Sequence, residues 1–327
     1  MSSTPLKKLD RASRTFAIPT AYPEIFKDRV IIISGVGRSG TSIVGKLIGS
    51  MKNTVYLFEP AIMKYMLFTV SNANTRRSFT GTILEDYILP IMQGRSLNHN
   101  ANDESYFRNY FVGARYPRRL DAMKAIIDHN YKFVIKTNES WGTDQLLRTC
   151  FPGFKKINVI RNGNDVVSSS MRKGWYTDEY MRSVVDWTNW GAPWFVSNED
   201  AARWPLWNPI TRAACVWKTL MDAWMESTRL EILDRTTCIS VKYEELVKAP
   251  RSTVSLIAKG LGLEQTVTTA EHTTDICNFT VLRHDSILNK IHEPMRDEFA
   301  KMMVELGYYN FQPDEVSPEG GDYVDVT

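Results

Sequence analysis

The stretch Gly35-Val-Gly-Arg-Ser-Gly-Thr-Ser42 decides the fold, because it joins an apolar run at 29–34 to a helical pattern that begins at Thr41. Three glycines let the backbone turn tightly and direct its N–H groups at a single anion. The following helix adds the positive end of its dipole, and hydroxyl side chains at its start add further donors. We therefore predict a strand, a phosphate-binding loop and a helix. The residues predicted to bind the phosphate are Gly37, Arg38, Ser39, Gly40, Thr41 and Ser42.

This loop differs at one position from the loop G-x-x-x-x-G-K-[ST] of nucleotide triphosphatases. Thr41 stands where that loop has a lysine, and the lysine is the group that neutralises the β- and γ-phosphates. Its replacement argues against hydrolysis of ATP or GTP. Arg38 supplies a cation instead, so we expect the loop to hold one phosphate while Arg38 reaches a transferring group. A glycine-rich turn without a ligand is the structural alternative.

The rest of the chain alternates short apolar runs with helical patterns. The predicted strands are 29–34, 54–58, 131–136, 156–160 and 238–241. The predicted helices are 41–51, 82–93, 142–149, 165–172, 211–233 and 250–261. Such alternation implies right-handed crossovers and a parallel sheet covered on both faces. We therefore predict an α/β fold of three layers, in which about five parallel strands are flanked by helices as in P-loop nucleotide folds, with ligands at the carboxyl ends of the strands.

A second phosphate-binding motif follows the fourth predicted strand, in Ile160-Arg-Asn-Gly-Asn-Asp-Val-Val-Ser-Ser-Ser170. Arg161 leaves the strand and Ser169 lies on the next helix, so both side chains can reach one phosphate. Arginine offers a bidentate fork and serine a hydroxyl donor. Asp165 lies at the helix start, where a carboxylate caps the helix or complements its dipole.

The two motifs together resemble those of the sulfotransferases that use 3′-phosphoadenosine 5′-phosphosulfate (PAPS). The first is similar to the family's 5′-phosphosulfate loop, G-x-x-[RK]-S-G-T-[ST]. The second is similar to its 3′-phosphate motif, R-[ND]-x-x-D-x-x-x-S, which places Arg161 and Ser169 on that phosphate. The resemblance covers residues 29–310, which we predict to be a single domain. It implies PAPS as the sulfuryl donor and 3′,5′-bisphosphoadenosine (PAP) as a product.

The resemblance also assigns roles to single residues outside the two motifs. Tyr243, in a Y-E-[DE]-[LM] stretch, matches a tyrosine that lies beside the adenine, and Arg283 falls in a loop that reaches back to the 3′-phosphate. Lys136 matches the lysine of an I-K-T stretch and would hydrogen-bond the sulfuryl oxygens. The chain departs from many cytosolic relatives at Ile43, where they have a tryptophan.

The base for the acceptor hydroxyl distinguishes two branches of the family. The cytosolic small-molecule branch uses a histidine where this chain has Asn138, and asparagine cannot act as a base near neutral pH. The carbohydrate and protein-tyrosine branch uses a glutamate, which Glu59 resembles. The resemblance therefore implies in-line transfer with Glu59 as general base, while Arg38 and Lys136 stabilise the developing charge. A carboxylate that only forms a salt bridge with Arg38 or Lys136 is the alternative.

A tryptophan-rich region at 175–224 holds eight of the nine tryptophans. We predict it to be an insertion on the acceptor side, in which Trp175 and Tyr176, with Asn138, bind the acceptor. The spacing of Trp187, Trp190 and Trp194 puts these three on one helix face. The alternative is that most of these rings pack the insertion onto the sheet.

Composition narrows the class of protein. The chain has 40 Lys and Arg residues and 37 Asp and Glu residues, which gives a net charge of +3. A nucleic-acid-binding protein typically has a much larger excess of positive charge. The apolar runs are too short to span a bilayer. Residues 1–28 are a predicted N-terminal extension without the apolar stretch of a secretory signal, and residues 311–327 a predicted disordered acidic tail. These features predict a cytoplasmic protein.

Cysteine and histidine spacing indicates neither a disulfide framework nor a metal site. The four cysteines lie far apart, and none of the five histidines has a second ligand at metal-binding spacing. We therefore expect reduced thiols and a reaction that needs no metal.

The acceptor is predicted only by class. A glutamate base favours a sugar or tyrosyl hydroxyl, so we expect a glycan, a glycolipid or another hydroxylated metabolite. A tyrosyl-peptide acceptor is the alternative, and its basic groove would come from Arg115, Arg118 and Arg119. Two other classes share the fold. A P-loop small-molecule kinase would need the loop lysine and Mg²⁺ carboxylates. A non-catalytic nucleotide-binding module would agree with Asn138 but not with Glu59 and Lys136.

Overall fold

The computed structural model describes residues 22–65, 73–94, 116–138, 140, 143–183, 192–193, 195–230, 237–277 and 287–308. Within them, five strands form one parallel sheet in the order β2-β3-β1-β4-β5. The strands are β1 (Val30–Gly35), β2 (Thr54–Phe58), β3 (Lys132–Lys136), β4 (Lys155–Ile160) and β5 (Cys238–Lys242). The predicted α/β class and the parallel sheet are confirmed.

Helices cover both faces of this sheet. They are α1 (Tyr22–Phe26), α2 (Thr41–Gly49), α3 (Ala61–Tyr65), α4 (Ala73–Thr82), α5 (Leu89–Met92), α6 (Arg119–Asp128), α7 (Asp144–Cys150), α8 (Gly163–Arg172), α9 (Asp178–Ser183), α10 (Asn198–Arg203), α11 (Pro209–Arg229), α12 (Tyr243–Lys248), α13 (Pro250–Leu261), α14 (Val267–Cys277) and α15 (Met295–Glu305). A π-helical turn (Ile83–Ile88) joins α4 to α5, and 3₁₀ turns occupy Trp204–Leu206 and Leu288–Lys290. Within the described ranges, none of these helices combines the length and apolar character that crossing a bilayer requires.

The alternation of side chains along the strands divides the core into layers. Ile31 and Ile33 of β1 pack with α2 and α13 on one face of the sheet. Ile32 points to the other face and packs with α4, α6 and α7. Beside that second layer, α8, α11 and α15 form a further apolar cluster at the edge where β4 ends. The sheet is thus enclosed on both faces, and polar side chains meet at the carboxyl ends of its strands.

The helix predicted over 82–93 differs from the observed structure. It is a π-helical turn followed by α5, and Pro90 lies near the α5 start. Proline has no N–H with which to continue the ladder of the preceding turn, and a wider turn accommodates the loss.

Two predicted terminal segments lie partly or wholly outside the described residues. The acidic tail at 311–327 is outside them, as are residues 1–21 of the extension. Residues 22–26, also assigned to the extension, form α1 and bury Phe26 completely. Its ring lies 5.3 Å from those of Phe133 and Phe151, so α1 is packed on the core.

The described part of the tryptophan-rich region is mainly core. Trp204, Trp207 and Trp217 are all buried in the cluster formed by α8, α11 and α15. The Trp217 ring lies 4.9 Å from that of Phe299 on α15. The three rings predicted to share a helix face, those of Trp187, Trp190 and Trp194, lie outside the described residues.

Candidate active site

The loop between β1 and α2 is closed in by two aromatic rings. Gly40 has a left-handed φ of 89°, and a Cβ there would lie 2.4 Å from Cδ2 of Tyr243. A Cβ on Gly37 would lie 2.9 Å from Cζ3 of Trp175. Glycine is therefore required at Gly40 by conformation and by space, and at Gly37 by space. The backbone N–H of Ser39 donates to the Val36 carbonyl at 3.0 Å, which closes the turn.

Two buried polar atoms at this loop fit an oxyanion. Ser39 is 1% exposed, and its Oγ has no hydrogen-bond partner among the described residues. The same holds for Nε of Arg161, whose nearest carboxylate oxygen, on Asp165, is 3.9 Å away. A buried donor without an acceptor is costly, so native structures seldom leave one unpaired. Phosphate oxygens would satisfy both donors, which is why these residues suit a phosphate-bearing nucleotide.

The two phosphate motifs meet at Arg38. Its Nε donates to Oγ of Ser169 at 3.1 Å, and its carbonyl accepts from Nη1 of Arg161 at 3.0 Å. Burial lowers the pKa of Arg38, and the neighbouring charges of Arg161 and Arg172 lower it further. The guanidinium nevertheless stays charged, because its intrinsic affinity for the proton is so high. Two cations this close favour an anion between them.

Tyr243 links the same two motifs through its ring. The Arg161 guanidinium carbon lies 4.4 Å from the ring centroid, within cation–π range, and Gly40 packs against the ring edge. The side chain is buried, and burial raises the pKa of its phenol. The phenol therefore stays neutral at physiological pH.

A carboxylate, a lysine and an amide converge where β2 and β3 end. These strands pair with Phe58 opposite Lys136, so Glu59 and Lys136 lie at the same edge. Lys136 forms an ion pair with Oε1 of Glu59, and Nδ2 of Asn138 donates to the same oxygen at 3.1 Å. Oδ1 of Asn138 in turn accepts from Oγ1 of Thr41 at 3.5 Å. One chain of contacts thus runs from the carboxylate to the phosphate loop.

The exposure of this pair is uneven. The Lys136 side chain is 3% exposed, whereas that of Glu59 is 39% exposed. Nζ of Lys136 also lies 4.7 Å from the Phe58 ring. The cation is therefore enclosed by the protein, whereas the carboxylate is partly exposed to solvent.

Backbone strain is concentrated in this region. Six described residues other than glycine have positive φ: Asp28, Arg38, Asn53, Glu59, Asn130 and Tyr176. Aspartate and asparagine adopt this conformation readily. The other three, Arg38, Glu59 and Tyr176, are all residues that the sequence analysis placed in the site. Each such conformation costs about 1–3 kcal/mol and persists where the surroundings impose it, which is common at functional sites.

The predicted acceptor residues differ in accessibility. Trp175 is half-buried, lies 5.7 Å from the Arg38 guanidinium carbon and stacks on Tyr180 with 6.2 Å between ring centroids. Tyr176 is only 5% exposed, and its carbonyl accepts from Arg212 at 3.1 Å. The Trp175 ring is therefore partly accessible beside Arg38, whereas Tyr176 is buried. Arg283 lies outside the described residues.

Two contacts to the Arg161 segment were not predicted. The backbone N–H of Asn162 donates to Oε1 of Glu244 at 2.9 Å, and Nε1 of Trp217 donates to the Arg161 carbonyl at 3.2 Å. The sequence offered one signal, an acidic residue directly after Tyr243. Nothing in the spacing indicated its partner. In the described ranges, no group of three His, Cys, Asp or Glu side chains could hold a metal ion.

Comparisons with known proteins give the fold and the family of the chain. Among solved structures, the sulfotransferase domain from the curacin biosynthetic pathway aligns with 15% identity and a TM-score of 0.51, over 86% of this chain and 98% of its own. The sulfotransferase domain of the Synechococcus PCC 7002 olefin synthase aligns with 16% identity and a TM-score of 0.48, over 86% and 95%. Mouse sulfotransferase SULT7A1, complexed with PAP, aligns with 14% identity and a TM-score of 0.41, over 87% of each chain.

At such identities, structural likeness shows the fold alone. No curated protein matches the sequence. The family evidence comes from the sequence itself, because a family described as the Sulfotransferase family matches residues 30–267, well over half of the chain. That range contains the phosphate loop, the Glu59 and Lys136 pair, the second phosphate motif and Tyr243. The chain belongs to the sulfotransferase family.

Proposed function

We propose that this protein transfers a sulfuryl group from PAPS to a hydroxyl of its acceptor, with Glu59 as general base. The observation that carries the proposal is the network at the strand ends. Lys136 and Asn138 hold one oxygen of Glu59, and Asn138 contacts Thr41 of the phosphate loop. Base, cation and phosphate loop are thereby within reach of one reacting group, as in-line transfer requires.

Donor binding is assigned to the two phosphate motifs. PAPS, when bound, supplies the sulfuryl group and leaves as PAP. The orphan donors of Ser39 and Arg161 would hold phosphate oxygens, and Ser169 with Arg161 would hold the 3′-phosphate. Arg38 lies between the two motifs, where its charge stabilises the leaving phosphate.

The proton acceptor is assigned to the second oxygen of Glu59. Lys136 and Asn138 both contact Oε1, and no described side chain donates to Oε2. Oε2 is therefore the oxygen to which we assign the proton of the acceptor hydroxyl. Lys136 is fixed beside it, so its ammonium group can bind the sulfuryl oxygens as charge develops there.

The acceptor class proposed is a glycan, a glycolipid or another hydroxylated metabolite, contacted by Trp175. The arginines suggested for a tyrosyl-peptide groove give that alternative no particular support. Arg118 forms an ion pair with Asp121 and Arg119 with Glu85. Arg115 lies outside the described residues. Tyrosyl peptides therefore belong in an acceptor screen as a comparison class.

The first prediction concerns Glu59→Gln. Transfer from radiolabelled PAPS is measured with a panel of glycans, glycolipids, hydroxylated metabolites and tyrosyl peptides. We expect the variant to lose about 10²–10⁴-fold in turnover, the usual contribution of a general base, while its affinity for PAP changes little. Glutamine keeps a side-chain oxygen for Asn138, so the link from Asn138 to Thr41 of the phosphate loop should persist.

Glu264→Gln is the matched control for this prediction. Glu264 is also an ion-paired glutamate, but it pairs with Lys52 on the exposed surface. We expect wild-type turnover from it. Near-normal turnover from Glu59→Gln would remove Glu59 from the mechanism, and transfer to none of the acceptors by the wild type would contradict the proposed reaction.

A further inference from the structure

The peptide unit between Arg161 and Asn162 is held at both of its polar atoms. Its carbonyl accepts from Nε1 of Trp217 on α11 at 3.2 Å. Its N–H donates to Oε1 of Glu244 on α12 at 2.9 Å. Because a peptide unit is planar, two hydrogen bonds from opposite sides fix its orientation. That orientation sets the direction in which the Arg161 side chain leaves the backbone.

Glu244 is itself fixed by the segment that follows α15. Its Oε2 accepts from the phenol of Tyr308 at 3.1 Å. Burial and the Glu244 carboxylate raise the pKa of Tyr308, so the phenol keeps its proton and acts as a donor. Nζ of Lys242 lies 5.0 Å from the Tyr308 ring and donates to the Leu306 carbonyl at 2.9 Å. Both carboxylate oxygens of Glu244 are therefore engaged.

The charge of Glu244 has the wrong sign for direct phosphate binding. A carboxylate near an anion site repels the anion, so its charge alone weakens nucleotide binding. Glu244 also takes the N–H of Asn162 at the start of α8, a helix end that would otherwise attract phosphate. The place left for a phosphate is beside the Arg161 guanidinium and Ser169. Glu244 therefore acts by orienting the Arg161 segment and not by binding the phosphate.

We propose that Glu244, held by Tyr308, is a positioning residue that aims Arg161 and thereby sets the preference for a nucleotide with a 3′-phosphate. The proposal rests on the function proposed above, which assigns the 3′-phosphate to Arg161 and Ser169. It gives the segment after α15 a part in nucleotide selection that acts through Arg161 and needs no contact of Glu244 or Tyr308 with the nucleotide.

The test compares PAP with adenosine 5′-monophosphate, which lacks the 3′-phosphate, by calorimetric titration of the full chain. We expect Glu244→Ala to weaken PAP binding about tenfold. The substitution leaves the Asn162 N–H without its acceptor, so the peptide unit that orients the Arg161 side chain is no longer held on that side. Binding of the monophosphate should change less than about twofold, because it does not use Arg161. Tyr308→Phe should show a smaller loss of the same kind, and Glu244→Gln, which keeps an acceptor for Asn162, should retain most of the preference.

Glu245→Ala is the matched control. Glu245 lies on the same helix and is exposed, so the substitution removes the same charge without touching Asn162. We expect its PAP affinity to equal or exceed that of the wild type. PAP binding as tight in Glu244→Ala as in the wild type would overturn the proposal. Equal losses for both nucleotides would also overturn it, because they would indicate a purely structural role.

The proposed function fails in a different way in the same experiment. A wild type that binds PAP no more tightly than the monophosphate would contradict the assignment of the 3′-phosphate to Arg161 and Ser169. A wild type that discriminates, with variants that discriminate equally well, would contradict only the role of Glu244 and Tyr308.

Discussion

Left-handed backbone angles at Arg38, Glu59 and Tyr176 are each held by a specific contact. The Glu59 N–H donates to the Lys136 carbonyl at 2.9 Å, which ties β2 to β3 at the point where the carboxylate leaves the sheet. The Tyr176 carbonyl accepts from Arg212, and the Arg38 carbonyl accepts from Arg161. These contacts hold the strained backbone at the ends of β1 and β2, where the Arg38 and Glu59 side chains leave the chain.

Gly40 provides the second prediction, at the same scale. Gly40→Ala should lower the free energy of unfolding by about 2–4 kcal/mol, because alanine is strained at this φ and its Cβ would also collide with Tyr243. The displaced ring and loop should also weaken PAP binding. Urea unfolding and calorimetric titration measure the two effects.

Gly262→Ala is the control that separates strain from collision. Gly262 has a φ of 68°, yet nothing lies within 4 Å of its added Cβ. We expect a cost of about 1 kcal/mol from conformation alone and no change in PAP affinity. Equal costs at Gly40 and Gly262 would show that Tyr243 does not press on the loop.

Some site residues could be predicted from sequence and others could not, for a physical reason. Arg38, Arg161 and Ser169 lie in local motifs whose spacing follows from a strand, a turn and a helix. The contact between Asn138 and Glu59 joins residues 79 positions apart. It depends on which strand lies beside which, and that information is not local.

At the scale of elements, the strands followed the sequence closely. The run predicted over 54–58 coincides with β2, and the helix predicted over 250–261 coincides with α13. Buried strands are continuous apolar runs, so their ends show in the sequence. Short helices such as α12 have no such signal, because tertiary packing stabilises them more than local propensity does.

A buried ion pair between two elements supplies the third prediction. Nζ of Lys156 on β4 lies 2.6 Å from Oδ1 of Asp144 on α7, with side-chain exposures of 1% and 3%. Lys156→Met should lower the free energy of unfolding by about 3–5 kcal/mol, because it leaves a buried carboxylate without its cation. Replacing both partners with apolar residues should recover most of that loss. Urea unfolding measures each value.

The exposed pair of Lys52 and Glu264 is the comparison. Its atoms are also 2.6 Å apart, but the side chains are 56% and 68% exposed. Lys52→Met should change stability by less than about 1 kcal/mol. A loss from Lys156→Met no larger than this would contradict the view that burial makes the inner pair important.

At the scale of the whole molecule, the strand order places the site. β1 lies at the centre of the sheet, between β3 and β4. The two phosphate motifs follow β1 and β4, so they begin at the ends of two adjacent strands. Ligands bind at such a point in open parallel sheets. The apolar runs of the sequence predicted the strands but not their order in the sheet. That order depends on contacts between segments that are far apart in the chain.

The fourth prediction concerns nucleotide binding at this point of the sheet. PAP should raise the melting temperature, because it binds the folded chain and not the unfolded one. At a concentration one hundred times its Kd, it adds about 2.7 kcal/mol to the free energy of unfolding. Arg161→Ala should remove most of the shift, and ATP with Mg²⁺ should produce little. A shift with ATP and Mg²⁺ alone would instead favour a kinase.

Trp217 contributes to the core and to the Arg161 segment at the same time. Its ring is completely buried against Phe299, while its indole N–H holds the Arg161 carbonyl. A phenylalanine there would preserve much of the packing but leave that carbonyl without a donor. A smaller aliphatic residue there would lose both the core contact with Phe299 and the hydrogen bond to Arg161, so one substitution would disturb the core and the Arg161 segment together.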